Sequence, residues 1–385
     1  MRILEVREQS VPIGAAIGNA AISFGTMTAS ALAVLTDRTI DGCNVVGYAF
    51  DSIGRYAKGG LLRERFIPRL LAATPEALLD PETGYVDPQR CWQVMMANEK
   101  PGGHGERAGA VGLLEAALWD ARAKLEGEPL WRVLARLHGN PAATQELAVY
   151  GSCGHFRPGE PLRALSDEVA RCRDQGFRTI KIKVGATDAL ADLARVDAAL
   201  AALDTPADLA IDANGIGSSA AWLAAVGARG LAWIEEPAAP LDFDTLAQHA
   251  AASPIALATG ENLFSFDEAR NLLRYGGLRR TRDRLQFDVS LSYGITEFVR
   301  ILALYESAGW TRRAFYPHAG HLFAAQVVAG LGLSAHEVAP DPTLAYGALW
   351  DGVSIANGRV RIPDLPGVGF ESKANLFTLL SSLGR

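Results

Sequence analysis

From about residue 146 onward the sequence alternates between short apolar runs and helical segments, and this alternation restricts the possible folds more than any other feature. Eight such runs occur, and each is followed by a segment with helical character. Eight strands that alternate with helices predict a parallel (β/α)8 barrel of the TIM type. The repeat length varies, which argues against a solenoid. The predicted strands are Leu147–Tyr150, Thr179–Val184, Leu209–Ile211, Leu231–Ile234, Ile255–Leu257, Leu285–Phe287, Arg313–Phe315 and Ala335–Glu337.

The chain in front of these runs mixes strand and helix signals. Leu32–Thr36 and Val45–Phe50 have the composition of paired strands, and Asp41-Gly42 between them is typical of a turn. Residues 108–134 have a helical pattern with an interruption at 127–129. These mixed signals predict an α+β unit that precedes the barrel.

We therefore predict an α/β protein with two domains. Residues 1–145 form an α+β capping domain, residues 146–354 form the catalytic barrel, and the C-terminal tail 355–385 returns to the capping domain. A chain of 385 residues, 49% of them hydrophobic, is long enough to bury a large core without disulfide bonds.

Charge and cysteine content narrow the class of protein. The formal net charge is −6 and no basic stripe is present, so we expect no nucleic-acid partner. No apolar run reaches the length of a membrane span, and acids interrupt the N-terminus where a secretory signal needs its apolar centre. The scattered cysteines form no CxxC pair, which favours a reducing cytoplasm. They are Cys43, Cys91, Cys153 and Cys172.

Ionisable side chains follow seven successive predicted strands, where a barrel has its active-site face. Taken singly, an acid after a strand is most often a helix cap or a solvated loop residue. Taken together, the carboxylates at Asp212, Glu235-Glu236 and Glu261 form a hard oxygen set without Cys or HxH neighbours, which suits Mg²⁺ or Mn²⁺ rather than zinc. The complete series is Lys181, Lys183, Asp212, Glu235, Glu236, Glu261, Asp288, His318, His321 and Glu337.

The same series offers groups for proton transfer. Lys181 and Lys183 lie on one face of their strand, because side chains alternate along a strand. Each lysine disfavours the charged form of the other, so we expect a lowered pKa for Lys183, as a base requires. His321 is a second candidate acid or base, with Asp288 orienting its ring.

Other patterns favour different functions. Residues 215–220 match GxGxxA after a strand, the pattern of a dinucleotide site, but Asp212 in front of the glycines would repel a pyrophosphate. The Gly102–Gly105 loop follows no strand and more plausibly carries Lys100 towards a substrate. The isolated histidines are interpreted as surface or structural residues; they are His138, His155 and His249.

As an ordered set, these motifs resemble the enolase superfamily, in its mandelate racemase-like branch, over nearly the whole chain. The resemblance implies a capping domain over a modified (β/α)8 barrel, with one Mg²⁺ per subunit bound by Asp212, Glu235 and Glu261. It also implies bases at Lys183 and His321, with Asp288 as the partner of His321. The matching segments are Leu118–Leu130, Lys181-x-Lys183, Asp212–Asn214, Trp233–Pro237, Gly260–Asn262 and Asp288 with His321.

Within that superfamily the chain is most similar to the D-tartrate dehydratases. The segments that carry this likeness are Asn98–Arg107, Ala258–Ser265, Arg270–Gly277, Gln286–Asp288 and Pro317–His321. The likeness implies an N-terminal loop, Asn19–Phe24, that closes over the substrate. The substrate-binding residues it implies are Asn19, Ser23, Lys100, Asn214, His318 and Glu337.

These features together predict a dehydratase of a small carboxylate. Lys183 takes the proton α to the carboxylate, His321 protonates the leaving β-hydroxyl, and the enol becomes a 2-keto acid, with D-tartrate giving oxaloacetate. Dehydration of a hexarate or an aldonate, or a racemase or epimerase reaction with the same bases, remains open. A metal hydrolase is disfavoured, because the first strand, Leu147–Tyr150, offers no histidine ligand. Members of the superfamily often assemble, so a homo-oligomer is expected.

Overall fold

The computed structural model describes residues 1–141, 143–216 and 218–385. Its N-terminal part contains an antiparallel sheet in the order β1-β2-β3. The predicted hairpin is confirmed, and both turn residues, Asp41 and Gly42, have a positive φ, as a two-residue hairpin turn of type I′ requires. The strands are β1 (Ile3–Pro12), β2 (Thr28–Ile40) and β3 (Cys43–Phe50).

Helices cover this sheet, and the longest of them, α5, is almost entirely buried. Asp120 on α5 accepts hydrogen bonds from the backbone N–H of Tyr48 on β3 and of Val368 in the C-terminal tail, at 2.8 and 2.7 Å. The helix therefore joins both ends of the chain. The helices are α1 (Gly59–Leu61), continued by a π-turn (Leu62–Phe66) into α2 (Ile67–Ala72), then α3 (Pro75–Leu78), α4 (Pro88–Met96), α5 (Glu106–Glu126) and α6 (Leu130–Leu137).

Seven parallel strands form the second sheet, in the order β10-β4-β5-β6-β7-β8-β9. Together with the intervening helices they confirm the predicted α/β class. The strands are β4 (Glu146–Cys153), β5 (Thr179–Lys183), β6 (Leu209–Asp212), β7 (Trp233–Glu235), β8 (Leu257–Thr259), β9 (Arg284–Leu285) and β10 (His336–Val338). The helices that follow them are α7 (Leu162–Asp174), α8 (Ala189–Leu200), α9 (Ala220–Gly227), α10 (Phe243–Ala252), α11 (Phe266–Tyr275), α12 (Ile295–Ser307) and α13 (Leu322–Leu331).

The seventh predicted strand is wrong in its extent. Residues Arg312–Ala314 form a 3-10 turn, and only Phe315 bridges to Leu285 of β9. The Ser334 N–H donates to the Phe315 carbonyl at 3.0 Å, so this one residue spans the gap between β9 and the chain that leads into β10. Tyr316 donates to the Leu285 carbonyl at 2.8 Å, and Pro317 after it has no N–H for a longer ladder.

The C-terminal tail divides between the two sheets. Its strand β11 (Arg359–Arg361) pairs with β4 of the barrel, and so does not return to the N-terminal sheet as expected. Its helix α14 (Ala374–Gly384) packs on the N-terminal sheet, where Arg7 donates to the Leu383 carbonyl at 3.0 Å. The domain boundaries at residues 145 and 354 stay a prediction. Among the described helices, none combines the length and the apolar composition needed to cross a bilayer.

Candidate metal and proton-transfer site

The register of the parallel strands brings the predicted carboxylates together. Lys183, Asp212 and Glu235 end β5, β6 and β7, and they are cross-strand neighbours in that order. Glu261 follows β8 across Gly260, whose φ of 126° suits glycine. One carboxylate oxygen from each of Asp212, Glu235 and Glu261 lies within 4.8 Å of the others. This all-oxygen set fits a hard divalent cation.

Two neighbours support that fit. The Asn214 side chain donates to Asp212 at 3.1 Å, while its Oδ1 is buried and has no hydrogen-bond partner among the described residues. A buried acceptor without a partner is costly, and a bound water or a substrate hydroxyl would satisfy it. Glu236 is not one of these three carboxylates; it has a φ of 43° and accepts from the Asn262 amide at 2.6 Å.

The two lysines form ion pairs with the carboxylates. Lys181 is completely buried and lies 2.5 Å from Glu235 and 3.0 Å from Glu337, while Lys183 contacts Asp212. With the protein groups alone, burial lowers the pKa of Lys183, but the facing Asp212 carboxylate outweighs burial and the repulsion from Lys181, so the pKa is raised. The lowering expected beside Lys181 and a bound metal stays a prediction.

Asp288 contacts His318, and the predicted Asp288–His321 pair does not form. His318 Nδ1 lies 2.9 Å from Asp288 Oδ2, and His318 Nε2 lies 3.5 Å from Glu261. Burial lowers the pKa of His318, but Glu261 and Asp288 have the larger, opposite effect, so the pKa is raised to about 10. Ser52 from the loop after β3 also donates to Asp288, at 2.7 Å. The two acids therefore favour the protonated form of the His318 ring.

His321 has a structural position instead. Its Nδ1 accepts from the backbone N–H of Ala324 at 3.2 Å, which caps the N-terminus of α13. Its Nε2 lies 3.4 Å from the Ser290 hydroxyl. Burial lowers the pKa of His321 to about 4, so the ring is neutral and poorly suited to donate a proton.

A cavity of about 170 Å³ opens above the cluster. Six of the predicted site residues line it: Asn19, Lys183, Asn214, Glu261, His318 and Glu337. Glu337 is ion-paired with Lys181. Burial raises the pKa of Glu337, but Lys181 and His318 have the larger, opposite effect, so the pKa is lowered. Asn19 Oδ1 accepts from the backbone N–H groups of Ala21 and Ile22, both at 2.8 Å, and so shapes its loop.

Two predicted substrate-binding residues lie elsewhere. Ser23 is exposed, and its backbone bridges to Gly18 rather than facing the cavity. Lys100 is also exposed, its carbonyl accepts from Arg107 at 3.0 Å, and neither Lys100 nor the Gly102–Gly105 loop is part of the cavity lining. Of the GxGxxA pattern at residues 215–220, Gly217 lies outside the described residues.

Several cavity residues have no counterpart in the sequence interpretation. The sequence predicts a surface or structural role for His155, but this residue lines the cavity, where burial and Lys183 lower its pKa to about 3. Arg55, in the loop that follows β3, also lines the cavity. The sequence signal for Arg55 is a charged residue directly after Gly54, just past a predicted strand. Asn262 also lines the cavity, although the Gly260–Asn262 motif predicts no role for it.

Comparison with known proteins agrees with this arrangement. A family model described as enolase C-terminal domain-like matches residues 164–376, more than half of the chain. The protein therefore belongs to that family, within the enolase and mandelate racemase superfamily.

Similar sequences include two dehydratases. L-talarate/galactarate dehydratase of Salmonella typhimurium is 28% identical over 381 residues, which cover 94% of this chain and 86% of that protein. D-galactonate dehydratase of Xanthomonas oryzae pv. oryzae is 31% identical over 253 residues, which cover 61% of this chain and 63% of that protein.

Similar solved structures share the whole architecture. A racemase from Streptomyces coelicolor, solved with bound magnesium, has a TM-score of 0.78 and 25% identity, covering 99% of both chains. L-talarate dehydratase from a Polaromonas species, complexed with Mg and L-glucarate, has a TM-score of 0.72 and 25% identity, covering 96% of this chain and 94% of that chain.

Proposed function

We propose that this protein is a magnesium-dependent acid-sugar dehydratase that converts a 2,3-dihydroxy carboxylate to a 2-keto acid, with D-tartrate to oxaloacetate as the specific reaction. One observation carries the proposal. Lys183 and His318 line the same cavity and contact opposite members of the carboxylate cluster, Asp212 and Glu261 respectively. A base and an acid around one carboxylate site are the groups that an elimination requires. The named dehydratase relatives support the same chemistry.

Asp212, Glu235 and Glu261 would hold the metal. Bound Mg²⁺ supplies Lewis-acid stabilisation of the negative charge that develops on the substrate carboxylate. Lys181 keeps its charge between Glu235 and Glu337 and stays out of the cavity lining. Lys183 is therefore the amine that reaches the substrate, and in our proposal it removes the α-proton.

His318 would then act as the acid. Its Nε2 proton passes to the β-hydroxyl, the carbon–oxygen bond breaks with loss of water, and the resulting enol tautomerises to the 2-keto acid. Asp288 orients the His318 ring, and Asp288 is itself fixed by the backbone N–H groups of Ser290 and Leu291, at 2.8 and 2.9 Å. This correction moves the acid role from His321 to His318.

A panel of four- to six-carbon acid sugars tests the proposal. We expect 2-keto acid, detected with semicarbazide, from D-tartrate in the presence of Mg²⁺, and no product after EDTA treatment. Turnover of a hexarate or aldonate alone would keep the reaction class and reject tartrate. Absence of keto acid from every substrate would reject dehydration.

A racemase reaction is the second candidate, because the solved racemase matches almost the full length of both chains. It would use the same two groups to move a proton between the faces of the α-carbon. Polarimetry or chiral chromatography of the recovered substrate distinguishes it, since inversion without keto acid favours the racemase. Assembly into a homo-oligomer and a cytoplasmic location stay predictions.

Replacement of the base gives an independent test. In Lys183→Ala we expect the substrate α-proton to stop exchanging with deuterated solvent, because Lys183 is the lysine in the cavity lining. Retention of the magnesium-induced rise in Tm is the control for an intact metal site. Exchange at the wild-type rate would show that another group removes the proton.

A further inference from the structure

We propose that Arg55 binds the second carboxylate of the substrate and makes the site selective for dicarboxylic over monocarboxylic acid sugars. This inference rests on the proposed dehydratase function and names the residue that determines its substrate class. It addresses a difference between the relatives, because galactarate is a diacid whereas galactonate is a monoacid.

The loop after β3 places Arg55 at the cavity. Gly54, with a φ of 93°, allows the chain to turn there, and Arg55 lines the same cavity as Lys183 and His318. The guanidinium lies over the Phe264 ring, 5.2 Å from its centroid, and Nη2 donates to the Asn262 side-chain oxygen. Two contacts therefore orient a planar fork of donors.

Arg55 is the cavity cation whose charge is not matched within the protein. Lys183 is paired with Asp212, and His318 is paired with Asp288. Within the described part of the chain, no carboxylate oxygen lies within 4.0 Å of the Arg55 guanidinium, and Glu236 reaches it only through Asn262. A guanidinium has five N–H donors and binds carboxylates through two parallel hydrogen bonds. The cavity therefore presents an anion site in addition to the metal cluster.

The spacing favours a short substrate. Asn262 accepts from Arg55 and donates to the metal-site residue Glu261 at 3.2 Å. A single amide side chain thus separates the guanidinium from the carboxylate cluster. A small acid with a carboxylate at each end can reach both positions, whereas a monoacid leaves the guanidinium without a counter-ion, which has a free-energy cost in a partly closed cavity.

The test compares matched acids in wild type and in Arg55→Gln. The pairs are D-tartrate with the four-carbon aldonate of the same configuration at C2 and C3, and the unreactive inhibitors succinate and butyrate. We expect the diacid-to-monoacid ratio of kcat/KM, and the matching ratio of inhibition constants, to fall by about 100-fold in the variant. Arg274→Gln on the exposed surface of α11 removes the same charge outside the cavity lining and is the control.

Arg55→Lys separates charge from geometry. We expect it to restore only part of the preference, because lysine keeps the charge but loses the paired donors. A ratio in Arg55→Gln within threefold of wild type, with native circular dichroism, would overturn the assignment. If wild type dehydrates no acid sugar, the proposed function fails; if it dehydrates diacids and monoacids alike, only the assignment of Arg55 fails.

Discussion

Two histidines three positions apart have very different surroundings. His318 lies between two acids, Asp288 and Glu261, whereas His321 turns back to cap α13. The acids raise the pKa of His318 to about 10, and burial lowers that of His321 to about 4. In the proposed mechanism the same side chain is therefore a proton donor at position 318, whereas at position 321 it caps a helix.

Matched substitutions test this assignment. In His318→Asn we expect dehydration to fall by at least roughly 100-fold, the usual contribution of a positioned acid, while Lys183 still exchanges the α-proton. In His321→Asn the amide retains an acceptor for the Ala324 N–H, so we expect activity within a few-fold of wild type. Steady-state keto acid formation and deuterium exchange measure both. The opposite order of effects would return the acid role to His321.

At the scale of elements, close backbone contacts hold α5, the long helix of the capping domain, on the barrel. A Cβ placed on Gly112 of α5 would lie 1.9 Å from the Ser290 carbonyl oxygen, and Ser290 follows shortly after Asp288. Likewise, a Cβ on Gly47 of β3 would lie 2.1 Å from the Ala117 carbonyl oxygen. Glycines in the middle of a helix and a strand therefore set how closely these elements approach.

Gly112→Ala should destabilise the protein, although alanine favours helix by about 1 kcal/mol. The added methyl overlaps backbone that cannot move freely, so we expect the free energy of unfolding to fall by about 2–3 kcal/mol. Gly60→Ala is the control, since a Cβ there meets no atom within 4 Å. Chemical denaturation monitored by circular dichroism gives both values. Equal stability of Gly112→Ala and wild type would mean that α5 can shift outward.

At the scale of the molecule, metal binding and folding are coupled. The three carboxylates come from three strands, so the site exists only when the barrel is assembled. A ligand that binds the folded state alone stabilises it, and repulsion among the buried acids makes the effect larger.

We therefore expect Mg²⁺ to raise Tm relative to EDTA, with about 2.7 kcal/mol of added stability at a free metal concentration of about 100 times Kd. Asp212→Asn should lose this shift, because it removes one ligand charge. Asp167→Asn on the exposed surface of α7 should retain it. Differential scanning fluorimetry over a magnesium titration measures the shift. An identical Tm for wild type with Mg²⁺ and with EDTA would contradict the metal site.

Residue patterns alone predicted the barrel, the hairpin at Asp41-Gly42 and a carboxylate cluster of Asp212, Glu235-Glu236 and Glu261, and the family resemblance then selected Glu235. Strand composition and alternation are local properties, and parallel strands bring their C-terminal ends to one face whatever the details of packing. The carboxylate set could therefore be identified before any coordinates were known.

Tertiary structure alone decided the remaining features of the site. Which histidine contacts Asp288 depends on the path of the chain after Phe315, the single residue that bridges to β9. It also depends on the residue at which α13 begins. The cavity lining contains Arg55 and not Lys100, and this depends on how loops of the capping domain fold over the barrel. The pKa of Lys183 depends on its distance from Asp212. These are contacts between residues far apart in sequence, so no local pattern encodes them.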